Sequence, residues 1–81
     1  GTAEDSMIEA PFDGVIHIKN RNIVKNNDNV LVVMNRHSEI VILDSQGRER
    51  FSRKLPYGAK LYVDEGTKIT HGQKLAEWDP Y

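Results

Sequence analysis

Few side chains in this 81-residue sequence are placed where they could do chemistry together. The histidines His17, His37 and His71 lie far apart, with no partner at i+2 or i+4, so a metal site could form only through folding. Ser38 and Ser52 have no local constellation for nucleophilic catalysis. The sequence therefore predicts no catalytic, cofactor-binding or metal-binding residues within this chain.

Three basic residues form the one candidate contact surface. Alternation along an extended strand places Arg48, Arg50 and Lys54 on one face, with Phe51 and Leu55 on the other. A solvated strand edge explains this pattern, because Lys and Arg also blunt exposed edges. The alternative is a contact with nucleic acid or with a neighbouring protein element.

Two aromatic residues beside Pro and Gly could serve as ligand platforms or as packing residues. In a small β domain, Tyr57 and Trp78 are expected to act as lids or corners of the core. Trp78 closes a run in which Ala76 shares its face, so we expect it to anchor the last strand.

The overall charge excludes a strongly basic domain. Eleven basic and twelve acidic residues give a net charge of −1, which predicts weak autonomous DNA binding. The absence of cysteine favours a cytoplasmic protein. The longest unbroken aliphatic run, Val30–Met34, is too short to span a bilayer, and the first residues lack the features of a secretory signal, so no membrane partner is expected.

Short apolar runs separated by turn residues indicate an all-β domain, since no long window keeps a helical period. Val30–Met34 is apolar on both faces, which is typical of a strand in a sandwich interior. Residues 1–5 are expected to be a loose end or a tag remnant, and residues 6–81 a single domain. The expected strands are Met7–Ala10, Gly14–Asn20, Asn22–Lys25, Val30–Met34, Glu39–Asp44, Arg48–Leu55, Ala59–Asp64, Thr67–Thr70 and Lys74–Trp78.

Two glycines six residues apart organise the C-terminal third. In Val63–Ala76, Gly66 and Gly72 suit tight turns, and Ile69 and Leu75 are expected to point inward. With the segment APFDGVI near the N-terminus, this pattern resembles the barrel-sandwich hybrid fold of biotinyl and lipoyl carrier domains and of domains in multisubunit RNA polymerases. A small barrel-sandwich hybrid of short antiparallel strands is therefore the predicted fold.

A carrier domain needs a lysine at an exposed hairpin tip, flanked by methionines in the biotinyl case. The only methionines, Met7 and Met34, adjoin no lysine, and the clearest tip, Asp44–Gly47, contains none. A carrier function, or an independent protein-interaction domain, is the alternative to the interpretation that follows.

The longer string NRHSEIVILDSQGRERFSRKLPYGAKLYVDEGTKITHGQKLAEWDPY resembles the trigger-loop insertion in the beta-prime subunit of bacterial DNA-directed RNA polymerase. PYGA followed at this distance by WDP is the specific part of the match. The positions that match the family pattern are Arg36, Glu39, Asp44, Gly47, Arg48, Lys54, Pro56, Tyr57, Gly58, Ala59, Gly66, Gly72, Ala76, Trp78, Asp79 and Pro80.

The segment FDG echoes the polymerase motif whose three aspartates hold the catalytic magnesium. Here Pro11 and Val15 stand where the flanking aspartates belong, so Asp13 alone is acidic and a turn is predicted. The resemblance implies that Mg²⁺ and Zn²⁺ are bound by the parent enzyme outside this segment.

The resemblance implies a cytoplasmic, non-catalytic module whose contacts bias the opening and closing of the trigger loop. Its implied partners are other elements and subunits of RNA polymerase, with DNA and RNA reached through the parent complex. An isolated module is expected to be monomeric, and Tyr81 would not be a natural terminus.

Overall fold

The computed structural model describes residues 6–80, and these residues form nine short strands and no α-helix. The expected loose end at residues 1–5 and the last residue, Tyr81, lie outside the described residues. The strands are β1 (Met7–Glu9), β2 (Gly14–Lys19), β3 (Ile23–Lys25), β4 (Leu31–Val33), β5 (Glu39–Leu43), β6 (Glu49–Lys54), β7 (Lys60–Leu61), β8 (Lys68–Ile69) and β9 (Lys74–Glu77).

The strands form two antiparallel sheets. One sheet has the order β1-β9-β7-β4-β3, and the other has the order β6-β5-β2-β8. The chain passes repeatedly between the sheets, and only β3–β4 and β5–β6 are consecutive strands that pair with each other. The predicted all-β fold of short antiparallel strands is confirmed. Neither sheet closes into a barrel within residues 6–80.

One apolar core lies between the sheets. Ile69 and Leu75 are buried in it, as the glycine spacing predicted, and Gly66 and Gly72 adopt positive φ angles of 85° and 89°. Such angles favour glycine because a Cβ would clash with the backbone. The core consists of Ile8, Ala10, Ile16, Ile18, Val33, Ile40, Ile42, Leu55, Ala59, Leu61, Val63, Ile69, Leu75 and Ala76.

The expectation that Val30–Met34 lies in the interior of the sandwich holds for one face of the strand only. Strand β4 lies between β7 and β3, but only Val33 of this run is buried and Met34 is exposed. Val24 lies opposite Val32 in the register and is 46% exposed. The outer face of the five-stranded sheet is therefore exposed at Val24 and Met34.

The two ends of the described segment lie side by side. Strand β1 pairs antiparallel with β9, with Met7 opposite Glu77. The backbone N–H of Trp78 extends this pairing by donating to the carbonyl of Ser6 at 2.9 Å. The first and last described strands thus lie together at one edge of the five-stranded sheet.

Candidate functional site

The three basic residues of the predicted contact surface are all exposed, but they differ in their surroundings. Lys54 lies opposite Glu39 at the end of β6. The pairing of β5 with β6 shifts register between Ile42 and Leu43, which leaves Arg50 as the extra residue of a β-bulge. Arg48 precedes β6 and belongs to the turn. The expected inward residues Phe51 and Leu55 do contact the core, Phe51 only in part.

The turn before β6 is organised by one carboxylate. Asp44 accepts the backbone N–H groups of Gln46 and Arg48 at 2.8 and 3.0 Å, and Arg48 Nε lies 3.4 Å from its second oxygen. The backbone N–H of Arg48, followed by that of Gln46, lowers the pKa of Asp44. Asp44 thus fixes the tip of the β5–β6 hairpin, where the φ of Gly47 is 79°.

Arg50 is held over an aromatic ring. Its guanidinium carbon lies 4.6 Å from the centroid of Phe12, a geometry that permits a cation–π interaction. Phe12 precedes Asp13 in the loop between β1 and β2. The loop of the FDG segment therefore contacts the start of β6, a contact that the sequence pattern did not predict.

The chain bends at Pro11 and Phe12 and does not form the predicted turn at the FDG segment, and Asp13 has a structural partner. An oxygen of Asp13 accepts the backbone N–H of His71 at 2.8 Å, which joins this loop to the turn between β8 and β9. Gly14 then begins β2. Between residues 6 and 80, no three His, Cys, Asp or Glu side chains come together as a metal-binding group.

The histidines and serines do not meet. His17 lies on β2 beside Glu65, whereas His37 and His71 are exposed in separate turns. Ser38 is fully buried, and its hydroxyl donates to the carbonyl of Asn20 at 2.7 Å. Ser52 is exposed on β6. The buried serine thus satisfies a loop carbonyl and shows no nucleophile geometry.

Two acidic residues in the turn between β7 and β8 make contacts that sequence reasoning missed. Asp64 forms a bidentate pair with Arg21, at 2.9 and 2.7 Å, and this hydrogen bond lowers the pKa of Asp64. Glu65 reaches His17 and also accepts the N–H of Ile18 at 2.8 Å. The bond from His17, then that from Ile18, lowers the pKa of Glu65. The partners lie more than 40 residues apart, so no local pattern could reveal them.

The two aromatic residues Trp78 and Tyr57 differ in burial. Trp78 is half-buried and packs against the core cluster just after β9, and Ala76 is fully buried. The expectation that Tyr57 is a core residue is wrong, because Tyr57 is 56% exposed. Gly58, with a φ of 87°, donates its N–H to Val33 at 2.7 Å and turns the chain so that Tyr57 faces solvent.

An open depression of about 540 Å³ lies at one end of the four-stranded sheet. Val15, Leu43 and Ile69 supply its apolar part, and Asp13, Asp44 and Lys68 contribute charged groups at its rim. Its lining residues come from three strands and three loops, so the spacing of residues in the sequence gave no sign of it.

The comparison with known protein families does not assign this chain to a family. No protein-family model matches this sequence. No helix within residues 6–80 has the length and apolar character needed to cross a bilayer. The class that the structure itself defines is a small two-sheet all-β domain.

Proposed function

We propose that this chain is a non-catalytic module of the beta-prime subunit of DNA-directed RNA polymerase, inserted in the trigger loop. The proposal rests on the resemblance of Asn35–Tyr81 to that insertion. The observation that best supports it is the adjacency of Ser6 and Trp78, whose backbone groups are 2.9 Å apart. An inserted domain must leave its host loop and rejoin it at nearly one place, and paired terminal strands meet this requirement.

In this role the module acts through mass and surface contacts. Any contact that forms in only one state of the host loop shifts the equilibrium between the open and closed states. A difference of about 1.4 kcal/mol in contact free energy between the two states shifts that equilibrium tenfold. Mg²⁺ and Zn²⁺ belong, in this proposal, to other parts of a cytoplasmic enzyme that binds DNA and RNA. The module adds no group to the chemical step.

The first test is the coding sequence on either side of this segment. We expect one open reading frame that also encodes the aspartate-rich magnesium motif of the polymerase. The second test replaces the residues between Ser6 and Trp78 with a short Gly-Ser bridge in that polymerase. The altered enzyme should still extend RNA, because no catalytic group is lost, while its pause lifetimes and single-nucleotide addition rates should change.

Two results would contradict the proposal. Flanking sequence without polymerase motifs would favour an independent interaction domain. An altered polymerase with unchanged pausing and addition rates would show that the module does not influence the trigger loop.

A further inference from the structure

Within residues 6–80, strand β6 is the longest free sheet edge. It lies at the outside of the four-stranded sheet and pairs only with β5. It spans six residues, whereas the other edge strands, β1, β3 and β8, have three, three and two. Towards the opposite edge of the same sheet, β8 and the Glu65 carboxylate form hydrogen bonds with the backbone groups of β2 that point away from β5. Within residues 6–80, no comparable element covers β6.

The phase of its hydrogen bonds shows which backbone groups of β6 point outward. Leu55 donates its N–H to Ser38 at 2.9 Å, so Leu55 faces β5. Because the direction alternates along an antiparallel strand, the N–H and C=O groups of Ser52 and Lys54 face away from β5. A further strand could accept and supply these hydrogen bonds.

The same edge carries excess positive charge. Arg50, Arg53 and Lys54 are exposed, and within residues 6–80 no ion pair joins any of them to a carboxylate. Glu49, the one acidic residue of β6, is paired with Lys19 at 3.1 Å. Cations on an edge discourage pairing between like-charged strands. They leave the edge complementary to an acidic strand.

The two faces of β6 carry different side chains. Ser52 and Lys54 share the face of Glu39 on β5, whereas Phe51 and Arg53 lie on the face of Ile42, where Phe51 packs against the core. A strand added to this edge would continue both faces. Acidic side chains would then lie near Lys54, and apolar side chains would lie next to Phe51.

We propose that the free edge of β6 binds an extended peptide with alternating acidic and apolar residues, which joins the four-stranded sheet as an antiparallel strand. A peptide partner fits better than a nucleic acid because the edge offers unused backbone groups and only a few cations. The proposal concerns the isolated chain and does not depend on the polymerase interpretation.

A titration of the isotopically labelled 81-residue chain, followed by heteronuclear NMR, tests the proposal. The probe is a blocked eight-residue peptide in which Glu and Val alternate. Its affinity is expected to be weak, with a dissociation constant on the order of 10⁻⁴ M, since a few hydrogen bonds and exposed ion pairs contribute only about 1 kcal/mol or less each. The largest shifts should fall on the amides of Ser52 and Lys54.

Two methylated peptides test the hydrogen bonding on the unaltered protein. Residues directly opposite each other in an antiparallel pair share a face, so the Glu amides of the peptide should point at β6. A peptide methylated on the backbone nitrogens of its Glu residues should not bind. A peptide methylated on the backbone nitrogens of its Val residues should bind as the unmethylated peptide does. Equal binding of both peptides would overturn strand addition, and the reverse preference would overturn the proposed orientation.

Lys54→Glu should weaken binding about tenfold, which corresponds to about 1.4 kcal/mol. Lys25→Glu is the matched control, because it reverses an exposed cation on β3, an edge strand of the other sheet; it should change the affinity less than twofold. An unstructured eight-nucleotide oligothymidylate is the competing ligand. Saturable chemical-shift changes of the β6 amides with the nucleotide but not with the peptide would overturn the proposal. Equal effects of the two charge reversals on the peptide affinity would also overturn it.

Discussion

The carboxylate of Glu65 lies 3.0 Å from the Nδ1 atom of His17, and this contact fastens the turn after β7 to the middle of β2. The other carboxylate oxygen accepts the N–H of Ile18. Gly66, the next residue, donates to the carbonyl of Ile16 at 2.8 Å. The turn therefore takes the place of a neighbouring strand along this part of β2.

This arrangement predicts a loss of stability in acid. Glu65, Asp64 and Asp44 each have a folded-state pKa below the ordinary value, because hydrogen bonds favour their charged forms. Their stabilisation is complete above the unfolded pKa values of about 4 and is lost as pH falls through the folded values. The free energy of unfolding, measured with urea at several pH values, should thus decrease below about pH 4.

Glu65→Gln should reduce that pH dependence. Half of the Glu65 side chain is exposed, so solvent screening limits its expected contribution to less than about 1 kcal/mol. Asp28→Asn, at an exposed position in the loop between β3 and β4, is the matched control for the loss of one carboxylate. Identical acid profiles for the Gln variant and the unaltered chain would show that the Glu65 contact does not stabilise the fold.

Gly14→Ala is expected to destabilise the domain by about 1–3 kcal/mol through crowding. An added Cβ would lie 2.5 Å from both the Ile42 side chain and the Leu43 carbonyl oxygen. Gly47→Ala is an informative comparison because nothing lies near its Cβ position, yet its φ is 79°. Its cost should be about 1–2 kcal/mol from backbone strain alone. Chemical shifts of Ile42 and Leu43 should change only in the Gly14 variant.

Trp78→Ala should lower the free energy of unfolding by about 2–3 kcal/mol. Truncation of a fully buried aromatic residue costs about 3–5 kcal/mol, and Trp78 is only half-buried against the core. Tyr57→Ala, at an exposed position, should change stability by less than about 0.5 kcal/mol. Denaturant unfolding measures both values. Equal effects of the two substitutions would show that Trp78 does not anchor the chain end after β9.

The isolated chain should bind duplex DNA weakly. Its net charge is −1, and the exposed cations of β6 can neutralise few phosphates. Dissociation constants should fall no lower than the non-specific range of about 10⁻⁴–10⁻⁶ M at physiological salt. Fluorescence anisotropy with a labelled duplex provides the measurement. Saturable binding in the nanomolar range would identify a DNA reader instead.

Incubation with biotin ligase or lipoate ligase should leave the mass of the chain unchanged. The hairpin tip between β5 and β6 contains Asp44, Ser45, Gln46 and Gly47, and no lysine is present there for acylation. Intact-protein mass spectrometry is the readout, with a known carrier domain as the positive control. A stoichiometric adduct on any lysine would favour the carrier alternative over the polymerase module.

The sequence by itself determined the class of fold and the position of its turns. The expected hairpin at Asp44–Gly47 and the turns at Gly66 and Gly72 all appear in the structure. Turn residues and short apolar runs act over a few neighbouring positions, so their effects can be seen in the sequence. The inward positions of Ile69 and Leu75 followed from the same local pattern.

The tertiary structure decided which apolar surfaces are covered. Val30–Met34 is apolar throughout, yet Met34 is 37% exposed, and the aromatic side chain of Tyr57 is 56% exposed. It also decided the partners of charged groups, such as Arg21 with Asp64 and His17 with Glu65. These contacts join residues more than 40 positions apart. Burial and ion pairing depend on how the two sheets and their turns meet in space, and the order of residues along a strand does not contain that information.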